Sequence, residues 1–191
     1  MTFSLGQYLM LRETMLSDPE WEQQYGWQQT VQFPKSAEQL ARDVIYVICN
    51  SGMKNTVARG IYDRIMAVIR GSRRETQLPF NHAGKRRAIY FVWVHRRDLF
   101  RAAKKAAKTG TLVEWCGELP WVGNITKYHL AKNLGADVAK PDRWLERIAR
   151  ESGETVDGLC QRLSKESGDR VATVDLVLWW AAANGHWKES T

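Results

Sequence analysis

Two short segments hold the side chains best placed to do chemistry. In the first, Leu119-Pro120-Trp121-Val122-Gly123 joins two stretches of helical apolar spacing and forms a tight hairpin between them. Val122 packs between the two helices, and Gly123 leaves the N–H groups of Asn124, Ile125 and Thr126, at the new helix start, open to a phosphate. Such an anion-binding turn needs no charged side chain, although Lys127 and Lys132 stand close enough to contribute. In the second, Pro141-Asp142 opens another helix, and by position alone Asp142 is an N-cap favoured by the helix dipole. Metal chemistry has no footing in the spacing. Cys49, Cys116 and Cys160 form no CxxC pair and His82, His95, His129 and His186 no HxxxH pair. Neither a disulfide framework nor a zinc or iron–sulfur site is expected, and the cysteines are expected as buried thiols.

The elements that position these segments belong to one all-α chain. Of 191 residues 44% are hydrophobic, enough to bury a core, and no run of about 18 apolar residues exists to cross a bilayer. The opening Met1-Thr2-Phe3-Ser4 lacks the pattern of a secretory leader, so a cytoplasmic protein is expected. Apolar periodicity predicts helices near 4–16, 36–50, 55–70, 85–95, 97–108, 111–117, 124–134, 142–152, 155–166 and 171–184, with long connections at 17–35 and 71–84. Ser36 with Gln39 makes a capping box. Gly71, Gly110, Gly135, Gly153, Gly168 and Gly185 sit where left-handed C-caps are wanted. Ile89–Val94 has strand propensity but no partner strand, so it is assigned to a helix. The helix near 171–184 is apolar on almost every side and should be buried.

The net charge is +7, and it is concentrated. Nine bases (Lys85, Arg86, Arg87, Arg96, Arg97, Arg101, Lys104, Lys105, Lys108) face one acid, Asp98, between 85 and 108, interleaved with Tyr90, Phe91, Trp93 and Phe100. That mixture suits a phosphate backbone, and equally the solvated face of an amphipathic helix.

The hairpin Leu119–Gly123 followed by Asp142 resembles the helix-hairpin-helix superfamily of DNA glycosylases, whose Leu-Pro-Gly-Val-Gly pattern precedes a catalytic aspartate at the start of a later helix. The resemblance is strongest over about 111–150, with 36–110 compatible. It implies a two-lobed all-α fold: a lobe at 36–136 carrying the helix-hairpin-helix (about 111–135), a second lobe from 1–35 plus 137–191, and an active site in the cleft between. It makes double-stranded DNA the partner of a monomer, contacted by Pro120, Trp121, Val122, Gly123, Asn124, Ile125, Thr126 and Lys127. Asp142 would then stabilise the positive charge that builds on the sugar as the base departs, and orient or deprotonate the attacking water. A flipped base must be held and its gap filled. Trp144 and the hairpin's Trp121 are expected near the substrate, with Tyr46, Tyr62 and Trp21 as further pocket candidates, while Asn50, Ser51 or Met53 could fill the gap. Most other tryptophans, Trp93, Trp179 and Trp180 among them, belong to the core.

Trp121 replaces the first hairpin glycine, so the turn geometry or the seating of its ring departs from the family's. Ile125 stands where lyase members place a Schiff-base lysine, and the four-cysteine loop is missing. The resemblance therefore implies a monofunctional enzyme with no cofactor beyond a monovalent cation at the hairpin carbonyls. Alkylated, deaminated or oxidised bases and bulky modified pyrimidines all stay open as substrates, with repair of alkylated bases, or excision of a hypermodified base such as a phage's glucosylated cytosine, the leading options. A non-enzymatic helix-hairpin-helix DNA binder and a helical protein-interaction domain are the rival classes.

Overall fold

The computed structural model describes residues 3–188, so Met1, Thr2 and residues 189–191, where the leader reading begins and the predicted terminal lobe ends, lie outside the described residues. Among the described residues the chain is all-α. In order, the helices are α1 Leu5–Leu16, α2 Pro19–Thr30, α3 Ala37–Asn50, α4 Asn55–Val68, α5 Ala83–Val94, α6 Arg96–Thr109, α7 Leu112–Gly117, α8 Thr126–Asn133, α9 Arg143–Glu151, α10 Val156–Ser167 and α11 Val171–Ala183. A single 3₁₀ turn lies at Glu75–Gln77. Among the described residues no helix is long and apolar enough to cross a membrane. The chain divides into two compact units, Met1–Gln32 with Gly135–Thr191, and Phe33–Leu134.

In the terminal unit α11 is the central element, packed by α1, α2, α9 and α10. Val174, Val177, Leu178 and Ala181 have no exposure, and Tyr8, Met15, Leu145, Ile148, Leu159 and Leu163 close around them. The α1 start is locked by a capping box in which Gln7 N–H donates to Ser4 Oγ (3.2 Å) and Ser4 N–H to Gln7 Oε1 (2.8 Å). The connection expected over 17–35 is instead mostly helix α2. Its start is written in Asp18-Pro19-Glu20: the Asp18 side chain accepts from Glu20 N–H (2.9 Å), and Pro19 takes the first helical position, where no N–H is needed. Gly26 within it is tolerated because Trp21 and Tyr25 pack on the core.

A buried carboxylate ties the unit together. Asp169, 5% exposed, accepts from the hydroxyls of Tyr8 and Tyr25 (2.5 Å each), Gln29 Nε2 (2.6 Å) and Arg12 (3.0 Å). Burial first, and then Asp169, push the Tyr8 phenol far above its usual range. Next to it Arg170 donates to the carbonyls of Gln28 (3.0 Å), Val31 (3.2 Å) and Gly135 (2.9 Å). One guanidinium therefore holds both points where the chain leaves and re-enters this unit.

In the Phe33–Leu134 unit α3 is central, packed by α4, α5, α6 and α8. Leu40, Ala41, Val44, Ile45, Val47 and Ile48 are buried along it against Ile65, Ile89, Val92, Ala103 and Leu130. Ser36 caps α3 by accepting from Gln39 N–H (3.1 Å), but the Gln39 side chain accepts from Lys35 N–H rather than Ser36 N–H, so the box is half made. Of the six expected cap glycines five have positive φ, and Gly71 does not. Residues 89–94 are helical, within α5.

Candidate nucleic-acid interface and carboxylate site

The hairpin is built on a β-turn. Val122 N–H donates to Leu119 O (3.2 Å), Pro120 holds the second position, and Trp121, third, has φ 69°. Proline second and positive φ third is the type II pattern, whose third position ordinarily goes to glycine. Trp121 is the single non-glycine residue with positive φ among the described residues. Left-handed backbone costs a residue with a Cβ about 1–2 kcal/mol. The surroundings hold the ring where it is: a Cβ on Gly84 would lie 2.5 Å from Trp121 Cζ3, and His82 meets the indole edge-on with ring centroids 4.8 Å apart. The tryptophan at this glycine-type position thus lays its side chain over α5, while the backbone takes the conformation a glycine would have.

Beyond the turn the chain opens to solvent. Val122 is buried between the helices, whereas Gly123, Asn124 and Ile125 are exposed and a Cβ on Gly123 would meet nothing within 4 Å. The helix α8 starts at Thr126 rather than 124, and the turn before it is closed by Lys127 N–H donating to Gly123 O (3.0 Å). Among the described residues no acceptor engages the N–H groups of Asn124, Ile125 or Thr126. Three donors without an acceptor at a helix start, two of them on exposed residues, are what an oxyanion requires. Lys127 lays its alkyl chain on Gly117, with Cδ 3.2 Å from where a Cβ would stand, and its ammonium lies 5.3 Å from the Tyr128 ring centroid. Lys132, expected to add charge here, is buried. The Leu119 and Gly123 carbonyls already accept from Val122 and Lys127, so a monovalent cation there would share oxygens with the turn's own hydrogen bonds.

The unit around the hairpin is strongly basic. Phe33–Leu134 carries 19 Lys and Arg against 7 Asp and Glu, a charge of +12, while the other unit carries 9 against 14, or −5. The excess is thus wider than the run 85–108. Within that run Lys85 is not at the surface. It is 4% exposed and donates to the carbonyls of Cys49 (3.3 Å) and Ser51, neutralising the C-terminal end of α3, and burial lowers its pKa. Arg86 donates to Phe80 O (2.9 Å), and Arg96 lies over the Trp93 ring. Arg87, Arg97, Arg101, Lys104, Lys105 and Lys108 are exposed, the last five forming the outer face of α6, opposite buried Ala103 and Ala106.

The α3–α4 turn carries the candidates for filling a gap in the duplex. Asn50, Ser51 and Met53 are half-buried, Gly52 makes the turn with φ 70°, and Met53 N–H donates to Asn50 O (3.0 Å). The Asn50 Oδ1 is buried with no hydrogen-bond partner. Tyr46 meets Tyr62 edge-on at 5.5 Å and donates to Asn55 Oδ1. On the same helix Asp43, which nothing in the sequence singled out, is engaged by no hydrogen bond or ion pair among the described residues. Burial pushes its carboxyl up to about 7.

Asp142 belongs to the terminal unit. It is the N-cap of α9: Oδ1 accepts from Trp144 N–H (3.0 Å) and Leu145 N–H (3.3 Å). Its Oδ2 pairs with Lys140 Nζ at 2.8 Å, with the two side chains 14% and 18% exposed. The approach to this carboxylate is itself held by buried Asp175, which accepts from Lys140 N–H, and Lys140 O accepts from Asp142 N–H (2.8 Å). Lys140 and Asp175 were missed by sequence reasoning. The only signal was an aspartate in the otherwise apolar α11. Trp144 is half-buried beside the Arg143 and Arg147 guanidiniums, 4.8 and 5.5 Å from its ring centroid. Trp21 packs against Trp179 and Trp180 at 6.2 and 6.4 Å, a core role.

Among the described residues no three His, Cys, Asp or Glu side chains converge on a possible metal position. The three cysteines are buried and form no disulfide among the described residues, and burial pushes the Cys49 and Cys116 thiols up to about 11 and about 12, so neither of those two is a nucleophile at neutral pH. Comparison with protein-family models, with curated proteins and with solved structures returned no match to this chain, so its own geometry carries the functional reading.

Proposed function

We propose that this chain is a monofunctional DNA glycosylase of the helix-hairpin-helix type, two-lobed, acting on double-stranded DNA and leaving an abasic site. The observation that carries the reading is the hairpin: a type II turn followed by three helix-start N–H groups without an acceptor, on a unit of charge +12. Phosphate would be held by those N–H groups, and the exposed bases of α6 would supply counterion-releasing contacts. Asp142 supplies the fixed carboxylate. As the base departs, positive charge grows on the sugar, and a carboxylate locked by two backbone donors meets it without having to reorient. The same oxygens can order the attacking water. Ile125 stands where a Schiff-base lysine would be, and the nearest amine, that of Lys127, lies over the Tyr128 ring.

The test is mass spectrometry of free bases released from normal, alkylated, deaminated and phage-modified DNA, with Asp142→Asn as control. A base released by wild type alone supports the enzyme and names its substrate. Release that persists in Asp142→Asn rejects the mechanism. One observation favours the non-enzymatic binder as a second reading: both oxygens of Asp142 are already engaged, one by the helix and one by Lys140. Salt-sensitive DNA binding with nothing released from any substrate would select it.

A further inference from the structure

On the Phe33–Leu134 unit an open groove of about 550 Å³ runs along α5 to the hairpin tip, lined by Gly84, Arg87, Phe91, Leu99, Trp115 and Trp121 among others. Three observations bear on what it holds. Two of its aromatic side chains are unusually exposed, Phe91 at 42% and Trp121 at 44%, where large rings are ordinarily covered. One of these, Trp121, sits on left-handed backbone that glycine would adopt without strain, and Gly84 is cut back to admit its ring. The groove lining is neutral in balance, Arg87 against Glu118, inside a unit of charge +12.

A neutral, aromatic-walled groove on a strongly cationic body fits a ligand whose parts divide the same way: a flat neutral ring on a polyanionic backbone. Trp121 is also only three residues from the first of the free N–H groups at Asn124–Thr126. We propose that this groove takes an unpaired nucleobase of a DNA strand, stacked on the Trp121 indole with Phe91 beside it, while the hairpin N–H groups hold a neighbouring phosphate. The inference rests on the reading of the hairpin as a phosphate binder and adds a preference for frayed or single-stranded DNA. An aromatic stacking platform tolerates any base, because every base has a π face.

The experiment measures binding, not base release. A labelled single-stranded oligonucleotide and its blunt duplex are titrated by fluorescence anisotropy against wild type, Trp121→Gly and Gly84→Ala. Trp121→Gly suits the turn and removes the ring. Gly84→Ala leaves the indole in place chemically but puts a Cβ 2.5 Å from it, so the ring must shift, in a helix that alanine otherwise favours. Both variants should lose about 10-fold in affinity for the single strand, within the range for one stacked base, and less than about three-fold for the duplex. Unchanged single-strand affinity, or equal loss on both DNAs, overturns the groove and leaves the hairpin reading intact. Wild type that binds neither DNA at low salt overturns both. Self-association of wild type that Trp121→Gly abolishes would give the groove to a second copy and also overturn the proposal.

Discussion

Asp142 can be separated into its two jobs by substitution. As a cap, its Oδ1 accepts from Trp144 and Leu145 N–H, and losing such a cap costs about 1 kcal/mol. As an ion-pair partner, its Oδ2 stands 2.8 Å from Lys140 Nζ with both side chains mostly covered. An exposed pair contributes about 0–1 kcal/mol and a fully buried one loses about 3–5 when broken, so this pair, mostly covered but not fully buried, should lie at about 1–2. Asparagine caps as well as aspartate and carries no charge, so Asp142→Asn should lose only the pair, about 1–2 kcal/mol. Asp142→Ala should lose both, about 2–3 kcal/mol, and melt about 2–4 °C below the asparagine variant. Urea unfolding of wild type, both variants, Lys140→Met and the Lys140→Met/Asp142→Asn double variant measures each part, the last giving the coupling energy directly. If Asn and Ala unfold alike, Oδ1 is not supporting the helix. If the coupling is zero, the pair is only a contact. If Asp142→Asn folds, binds DNA and still releases base, the carboxylate has no chemical role.

Two further perturbations probe the scaffold. Burial raises the Asp43 carboxyl from 3.8 to about 7, so the folded chain favours its protonated form. The stability this gives is complete below about 4, falls as pH rises to about 7 and is level above that. Asp43→Asn should remove this decline and be more stable than wild type at pH 8; parallel pH profiles would show that the group is not buried in solution. Arg170→Met leaves the carbonyls of Gln28, Val31 and Gly135 without their donor and should cost about 2–4 kcal/mol in urea unfolding. Arg170→Lys should recover less than half of it, since one ammonium cannot reach all three, and full recovery by lysine would refute the clamp.

The helices were legible wherever apolar period and caps coincide, as at Ser4–Leu16, Thr155–Gly168 and the all-round apolar α11. What escaped was set by groups distant in sequence. The helix α2 buries too little of its own surface to show a period and is held by Tyr25 and Gln29 on Asp169, 144 and 140 residues away. Lys85 looked like one more cation of a basic run, because no local pattern tells that its ammonium ends at the carbonyls of α3. For the site, the turn and the cap were readable from Pro120, Gly123 and Pro141-Asp142, since backbone geometry there follows from residue type. The pairing of Asp142 with Lys140 was two residues away and still unread, because spacing of two says nothing of whether side chains turn toward each other.

Trp121 shows the same limit from the other side. Its substitution for glycine could be seen in the sequence, but its meaning lay in Gly84, 37 residues earlier, whose missing Cβ is what lets the indole lie down. A tryptophan that had merely replaced a glycine would leave the left-handed conformation and deform the turn. One that keeps the conformation, with room made for it and nearly half its surface in water, bears a strain that packing inside the unit does not require. That is the physical reason to seek the compensation in something that binds to the ring.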